Sequence, residues 1–207
     1  MHGEPTVFVV DDDQAVRESL ARLLDSVGLP VQTFACAEEF LEAYDPQWQG
    51  CVILDIRMPG ISGLELQETL AARQVRLPII IMSAHGDVEK AVRAMKSGAV
   101  DFIKKPYKGS VLLERIREAL ALDARRRREE ASRAEVAARL ARLTPREREI
   151  MSLLVAGKPA KQIAFELGLS RKTVDVHRSH IVSKMQVGSV VELANLLAQL
   201  PPEQRVF

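Results

Sequence analysis

The amino-acid sequence predicts two domains of different class. Residues 1–122 read as an α/β unit with a five-stranded, doubly wound parallel sheet, and residues 143–207 as an all-α, four-helix unit containing a helix-turn-helix. Three observations carry this. Short apolar runs alternate with amphipathic stretches through the first segment, the pattern of repeated βα units. The last segment shows only helical periodicity, punctuated by capping residues and a Gly-containing turn. Charge divides the same way: 13 Lys+Arg against 18 Asp+Glu in residues 1–122 (net −5), but 7 against 4 in 123–142 and 9 against 6 in 143–207 (net +3 each).

Thr6–Val10, Gln32–Phe34, Cys51–Leu54, Ile79–Met82 and Val100–Ile103 are the five expected strands. The first, third and fourth are almost wholly apolar, as strands covered on both faces must be. Helical spacing recurs in Val16, Leu20, Leu23, Leu24 and Val27, then in Leu64, Leu66 and Leu70, in Val88, Val92 and Met95, and in Leu112, Leu113, Ile116 and Leu120. Gly28 and Gly98 stand where helix C-caps are expected.

Residues 123–142 are rich in Arg, Glu and Ala. Glu129–Arg133 and Glu135–Arg139 are i,i+4 pairs, which support an exposed helix. Apolar heptads are not sustained there, so a solvated linker helix is expected rather than a coiled coil. Beyond it, Thr144-Pro145-Arg146-Glu147 forms a capping box with Pro at the first helical position. A helix with Ile150, Leu153 and Leu154 on one face follows and ends at Gly157. A short helix, Lys161–Leu167, precedes Gly168-Leu169-Ser170, with Ser170 capping a longer helix, roughly Arg171–Met185. Ser189-Val190-Val191-Glu192 is a second capping box. Two helices joined by a tight Gly turn within such a unit are a helix-turn-helix signature.

Of the 207 residues, 47% are hydrophobic and 28% charged, which excludes disordered, collagen-like and disulfide-scaffold proteins. The longest uncharged stretch, Ser26–Ala37, is interrupted by Pro30, so no membrane span of about 20 apolar residues is expected. No signal peptide is read at the N-terminus. Cys36 and Cys51 read as buried thiols in a reducing cytoplasm.

In an open α/β sheet, chemistry collects at the carboxyl ends of the strands. That edge carries Asp11, Asp12 and Asp13 after the first strand, Asp55 after the third, Ser83 after the fourth and Lys105 after the fifth. Converging carboxylates repel unless a hard cation joins them, and Mg²⁺ is the expected one. Asp13 and Asp87 read as loop or cap residues, and Lys104 as a solvated charge.

Residues 1–122 resemble the receiver domain of two-component response regulators, whose fold is flavodoxin-like. The matching motifs are VVDDD (Val9–Asp13), ILDIRMPGISG (Ile53–Gly63), IIIMSAHGD (Ile79–Asp87) and KSGAVDFIKKPY (Lys96–Tyr107). The resemblance implies that Asp55 is the phosphoacceptor. Asp11, Asp12, Asp55 and the backbone carbonyl of Arg57 would hold Mg²⁺. Ser83 would meet the phosphoryl group, and Lys105, which immediately precedes Pro106 and is expected to join it through a cis peptide, would neutralise charge. Phe102 matches the aromatic switch position that follows Ser83 inward. The family's altered face, between the fourth helix and the fifth strand and helix, commonly drives dimerisation, and Val92, Lys96 and Asp101 lie in those segments.

Residues 143–199 resemble the LuxR-type helix-turn-helix of the NarL/FixJ subfamily, in LTPREREIMSLLVAGK and KQIAFELGLSRKTVDVHRSHIVSKMQV. With the receiver, the likeness points to the FixJ/StyR branch. One departure is Ala160, where the family usually offers a Ser or Asn cap. Helical geometry turns Val174, Ile181 and Met185 to the core, with His177 on that side, and Asp175, Val176 and Ser179 outward. By resemblance these last three meet base edges: Asp175 could accept from cytosine N4, and Val176 could pack on a thymine methyl. Lys161, Arg171, Lys172, Arg178 and Lys184 would bind phosphates. His177 and His180 are too few for a metal site and read as structural or phosphate-contacting.

The expectation is a response regulator that takes a phosphoryl group from a sensor histidine kinase, dimerises, and binds double-stranded DNA to regulate, by expectation activate, transcription, with RNA polymerase a possible partner. It would not be an enzyme beyond the phosphorylation and dephosphorylation of its own Asp55. The competing readings are a metal-dependent phosphatase or phosphotransferase, and a protein-only signalling module. No substrate-binding insertion interrupts the short loops, which disfavours the first. The basic Arg171–Lys184 helix disfavours the second.

Overall fold

A computed structural model of the chain describes residues 4–84, 88–198 and 200. Five parallel strands, β1 (Thr6–Val10), β2 (Val31–Phe34), β3 (Gly50–Asp55), β4 (Ile79–Ser83) and β5 (Asp101–Lys104), pair in the order β2-β1-β3-β4-β5. The crossovers are α1 (Gln14–Asp25), α2 (Ala37–Ala43), α3 (Gly63–Ala72) and α4 (Val88–Lys96); α5 (Gly109–Ala141) follows β5. All residues of β3 and β4 are buried, which is why their sequences show no polar alternation. Core side chains separate onto the two faces of the sheet. Phe8, Val10, Val52, Leu54 and Ile81 pack with Phe34 and Phe40 on one. Val7, Val9, Ile53, Ile80 and Met82 pack with Leu20, Leu24, Leu112 and Ile116 on the other. Phe8 also stacks on Trp48 at 4.2 Å.

The strand order reverses at β1, and β1 and β3 pair in register from Thr6↔Gly50 to Val10↔Leu54. Asp11 and Asp55 therefore emerge side by side at the carboxyl edge. Gly63 is required there, because a Cβ at that position would lie 2.0 Å from the Asp55 backbone oxygen. Asp13 caps α1, accepting from the backbone N–H of Ala15 and Val16. Asp87 lies outside the described residues.

By its internal packing the chain divides into two compact units that meet between Arg127 and Arg128, within the segment expected to link them. Asp123 is buried and accepts from Gly50 N at 2.9 Å and from Arg127 Nε at 2.9 Å. Arg127 also donates to the Trp48 carbonyl. These bonds make 123–127 the end of the first unit. From Arg128 onward, α5 contributes Val136 to the core of the second unit, and Arg139 donates to the Met185 carbonyl at 3.1 Å. Between these anchors the helix is largely exposed, with only Asp123 and Val136 of residues 123–142 buried, as a solvated helix would be.

In the second unit, α6 (Pro145–Val155), α7 (Ala160–Leu167), α8 (Arg171–Met185) and α9 (Val190–Ala198) surround Ile150, Met151, Ile163, Val174, Ile181, Met185, Leu193 and Leu197. The Thr144–Glu147 capping box is complete. At the second expected box, Ser189 accepts from Glu192 N, but the Glu192 carboxylate turns to Gly188 N at 2.7 Å. Pro159 is the cap of α7 and supplies no side-chain acceptor. No single helix among the described residues is long and apolar enough to cross a membrane.

Candidate functional site

At the carboxyl edge, Lys105 reaches two carboxylates at once. Its Nζ donates to Asp11 Oδ2 at 2.7 Å and to Asp55 Oδ1 at 2.6 Å. The remaining oxygens are held by backbone: Asp11 Oδ1 by Asp13 N at 3.0 Å, and Asp55 Oδ2 by Arg57 N at 2.6 Å. Burial pushes the Asp11 carboxyl above its ordinary pKa, against the pull of Lys105. For Lys105, burial pulls the ammonium down, but the bonds and charges of Asp11 and Asp55 outweigh it and hold the pKa above the usual value. One cation therefore answers two carboxylates, leaving local negative charge.

Asp12 is exposed beside them, and Arg17 donates to the carbonyls of both Asp11 and Asp12, at 2.7 and 2.9 Å. Ser83 is buried at the end of β4, and Lys105 N donates to its carbonyl at 2.7 Å. Lys104 is exposed, so the second lysine of the pair is the one that enters. The Lys105–Pro106 peptide is cis. Phe102 is partly buried against the first of the two cores. An open cleft of about 580 Å³ lies beside Asp12, lined also by Arg57, Met58, Pro59, Lys90 and Arg93 among others. Val88, Val92 and Met95 of α4 are exposed apolar side chains, at 74%, 47% and 46%.

In the second unit, α7 ends at Gly168 in the left-handed region (φ 64), which sharpens the turn into α8. Ser170 caps α8, accepting from Thr173 N at 3.0 Å. Val174, Ile181 and Met185 are buried. Asp175, Val176, Arg178 and Ser179 are exposed, as are Lys161, Arg171 and Lys172. Arg171 lies 3.9 Å from Asp175, and Ser179 donates to the Asp175 carbonyl at 3.2 Å. His177 is half-buried.

Lys184 stands apart from the expected phosphate contacts. Its ammonium donates to both oxygens of Glu147, at 2.8 and 2.6 Å. Glu147 is buried at the start of α6, so it needs a cation, and Lys184 ties the last turn of α8 to it. Burial alone would raise the Glu147 pKa, but Lys184 and the Thr144 cap hold it below the usual carboxylate range. The sequence marks Glu147 only as a capping residue, because its second partner is 37 positions away.

A βα sheet with this acidic edge, followed in one chain by a helix-turn-helix, defines a signal-dependent transcriptional regulator as a class. Comparison with known proteins narrows it. Residues 7–117 match the response regulator receiver domain, and residues 141–197 match the bacterial regulatory proteins of the luxR family. The transcriptional regulatory protein FixJ of Azorhizobium caulinodans is 46% identical over 198 residues, covering 95% of this chain and 94% of that protein. TdiR of Thauera aromatica is 44% identical, covering 93% and 85%. Among solved structures, the response regulator StyR aligns with a TM-score of 0.90 at 45% identity over 96% of this chain and all of that one. Full-length FixJ from B. japonicum aligns at 0.59 and 42%, covering 94% and 96%. The chain belongs to the response regulators of the NarL/FixJ subfamily, which join a receiver to a LuxR-type DNA-binding domain.

Proposed function

We propose that phosphorylation of Asp55 by a sensor histidine kinase switches this regulator between two packings of its receiver and so controls its hold on double-stranded DNA. The observation that carries the reading is the Lys105 ammonium bridging Asp11 and Asp55. An Asp55 oxygen attacks the phosphohistidine phosphorus in line, and the P–N bond to the imidazole breaks. The cleft beside Asp12 and Arg57 gives the donor room to approach. Lys105 neutralises charge gathering on the equatorial oxygens, and the Ser83 hydroxyl donates to one of them. Mg²⁺ fits the all-oxygen donor set and the surplus negative charge around buried Asp11; Asp11, Asp12, Asp55 and the Arg57 carbonyl would hold it. When bound, it supplies a second positive charge at the transferred group. The chemistry is a single labelling of the chain's own aspartate, not turnover of a substrate.

Movement of Ser83 toward the phosphoryl group leaves space for Phe102, and the face of α4, β5 and α5 repacks. This is a population shift whose size follows from differential contacts. Val88, Val92 and Met95 give that face an apolar surface suited to a second copy of the chain. On α8, Asp175, Val176 and Ser179 read base edges, while Lys161, Arg171, Lys172 and Arg178 hold phosphates. Lys184 is assigned to Glu147 and not to DNA. Transcription activation through contact with RNA polymerase and a cytoplasmic location complete the reading.

A small phosphodonor with Mg²⁺ is expected to tighten binding to a duplex selected from a random pool. Asp55→Asn is expected to abolish that response, and an unchanged response in the variant rejects the assignment. Steady release of phosphate from a small phosphoester, rather than one label per chain, would restore the phosphatase reading.

A further inference from the structure

Glu147, His177 and His180 bring one ligand-type atom each close together in the second unit. We propose that they form a Zn²⁺ site, separate from the receiver's carboxylates and independent of the phosphorylation reading above. The candidate ligand atoms of the three side chains all lie within 4.8 Å of one another. His180 Nδ1 is 4.0 Å from Glu147 Oε1. Two metal–ligand bonds of about 2.1 Å at a tetrahedral angle span about 3.4 Å, so small side-chain rotations bring the atoms into range.

Two further features support it. The Nδ1 atom of His177 is buried and has no hydrogen-bond partner among the described residues, so none of their groups competes with a metal for it. The His180 side chain is 60% exposed, which opens a path from solvent. The i,i+3 spacing sets both imidazoles on neighbouring positions of α8, and the capping box fixes the Glu147 carboxylate. Two imidazoles and one carboxylate suit Zn²⁺ and its neighbours in the first transition row far better than Mg²⁺. The donor chemistry thus differs from that at Asp11 and Asp55.

Lys184 is the resident competitor. It holds Oε2 at 2.6 Å and Oε1 at 2.8 Å. A Zn²⁺ ion enters by taking Oε1 and leaving the ammonium on Oε2. That competition makes the site reversible, in contrast to the closed four-ligand sites that hold folds together.

The test uses the full chain with excess Mg²⁺ to occupy oxygen-only sites. Zn²⁺ is titrated calorimetrically, and Co²⁺ is followed by its visible absorption. One equivalent is expected, with bands of nitrogen-ligated Co²⁺. His180→Gln, at an exposed position that leaves the fold intact, is expected to weaken binding by at least about tenfold, as is His177→Gln, since loss of mere supporting groups already costs that much. Lys184→Met is expected to tighten it. Absence of stoichiometric binding, or equal affinity in His180→Gln, overturns the site. Unchanged or weaker binding in Lys184→Met overturns the shared carboxylate.

Discussion

In the receiver, Asp11, Asp55, Ser83 and Lys105 arrive from the ends of four different strands, and three of the four are buried side chains. On α8, Asp175, Val176, Arg178 and Ser179 come from one helix and are exposed. The first group is held together by bonds within the chain: Lys105 donates to both carboxylates, and backbone N–H groups donate to their other oxygens. The second, in the function proposed above, is half of an interface whose other half is nucleic acid. The difference teaches where each kind of site keeps its information. A pocket holds it in the mutual geometry of side chains, and a reading surface holds it in which side chains are left outward.

Substitutions can break or sharpen that contrast. The largest effect is expected at Lys105, where Lys105→Ala removes the only side-chain cation bonded to both carboxylates among the described residues. Phosphoryl incorporation from a small donor should fall by about 10²–10³-fold, the usual loss when one preorganised charge donor goes. A near-normal rate would show the pocket to be less interdependent than its geometry. Next comes Asp123→Ala, which leaves Gly50 N without its buried acceptor. Denaturant unfolding of the receiver should show a loss of roughly 1–3 kcal/mol.

Arg178→Ala should be milder and uniform. Affinity for all duplexes drops together, and the slope of log K against log salt shrinks by about 1. Asp175→Asn should instead change which sequences are preferred, and an equal change in affinity for every duplex would count against base reading by Asp175. The smallest effect concerns the cysteines. Burial pushes the Cys51 thiol up to about 12, with the nearby Asp123 charge adding to it. Mass spectrometry after alkylation at pH 8 should find partly exposed Cys36 modified and Cys51 spared until the receiver unfolds.

The strands were legible because apolar runs bury on both faces, and β1 has the bounds its sequence implies. β5 lies one residue later than expected, since Asp101 and Lys104 pair in the ladder although both are polar. Between β2 and β3 the sequence shows no helical periodicity long enough to predict a helix. α2 spans only seven residues, buries just Ala37 and Phe40, and is capped by the Cys36 thiol in place of an ordinary oxygen cap. The strand-end residues of the acid pocket could be read from topology alone. What escaped was long-range pairing of charges. Helical spacing tells which way Lys184 and Asp123 point but not that Glu147 and Gly50 wait there, 37 and 73 positions away. The likeness of Glu147 to a simple cap hid its nearness to the two histidines in the same way.

The bonds of Asp123 and Arg127 also bear on how the receiver can stand alone. A fragment ending at residue 122 keeps every strand and every pocket residue, yet strips the acceptor from Gly50 N at the start of β3, the strand that ends in Asp55. A fragment ending at 127 retains both the acceptor and the arginine that steadies it. The length of helix kept after β5 therefore sets how firmly the strand that carries Asp55 is anchored at its far end.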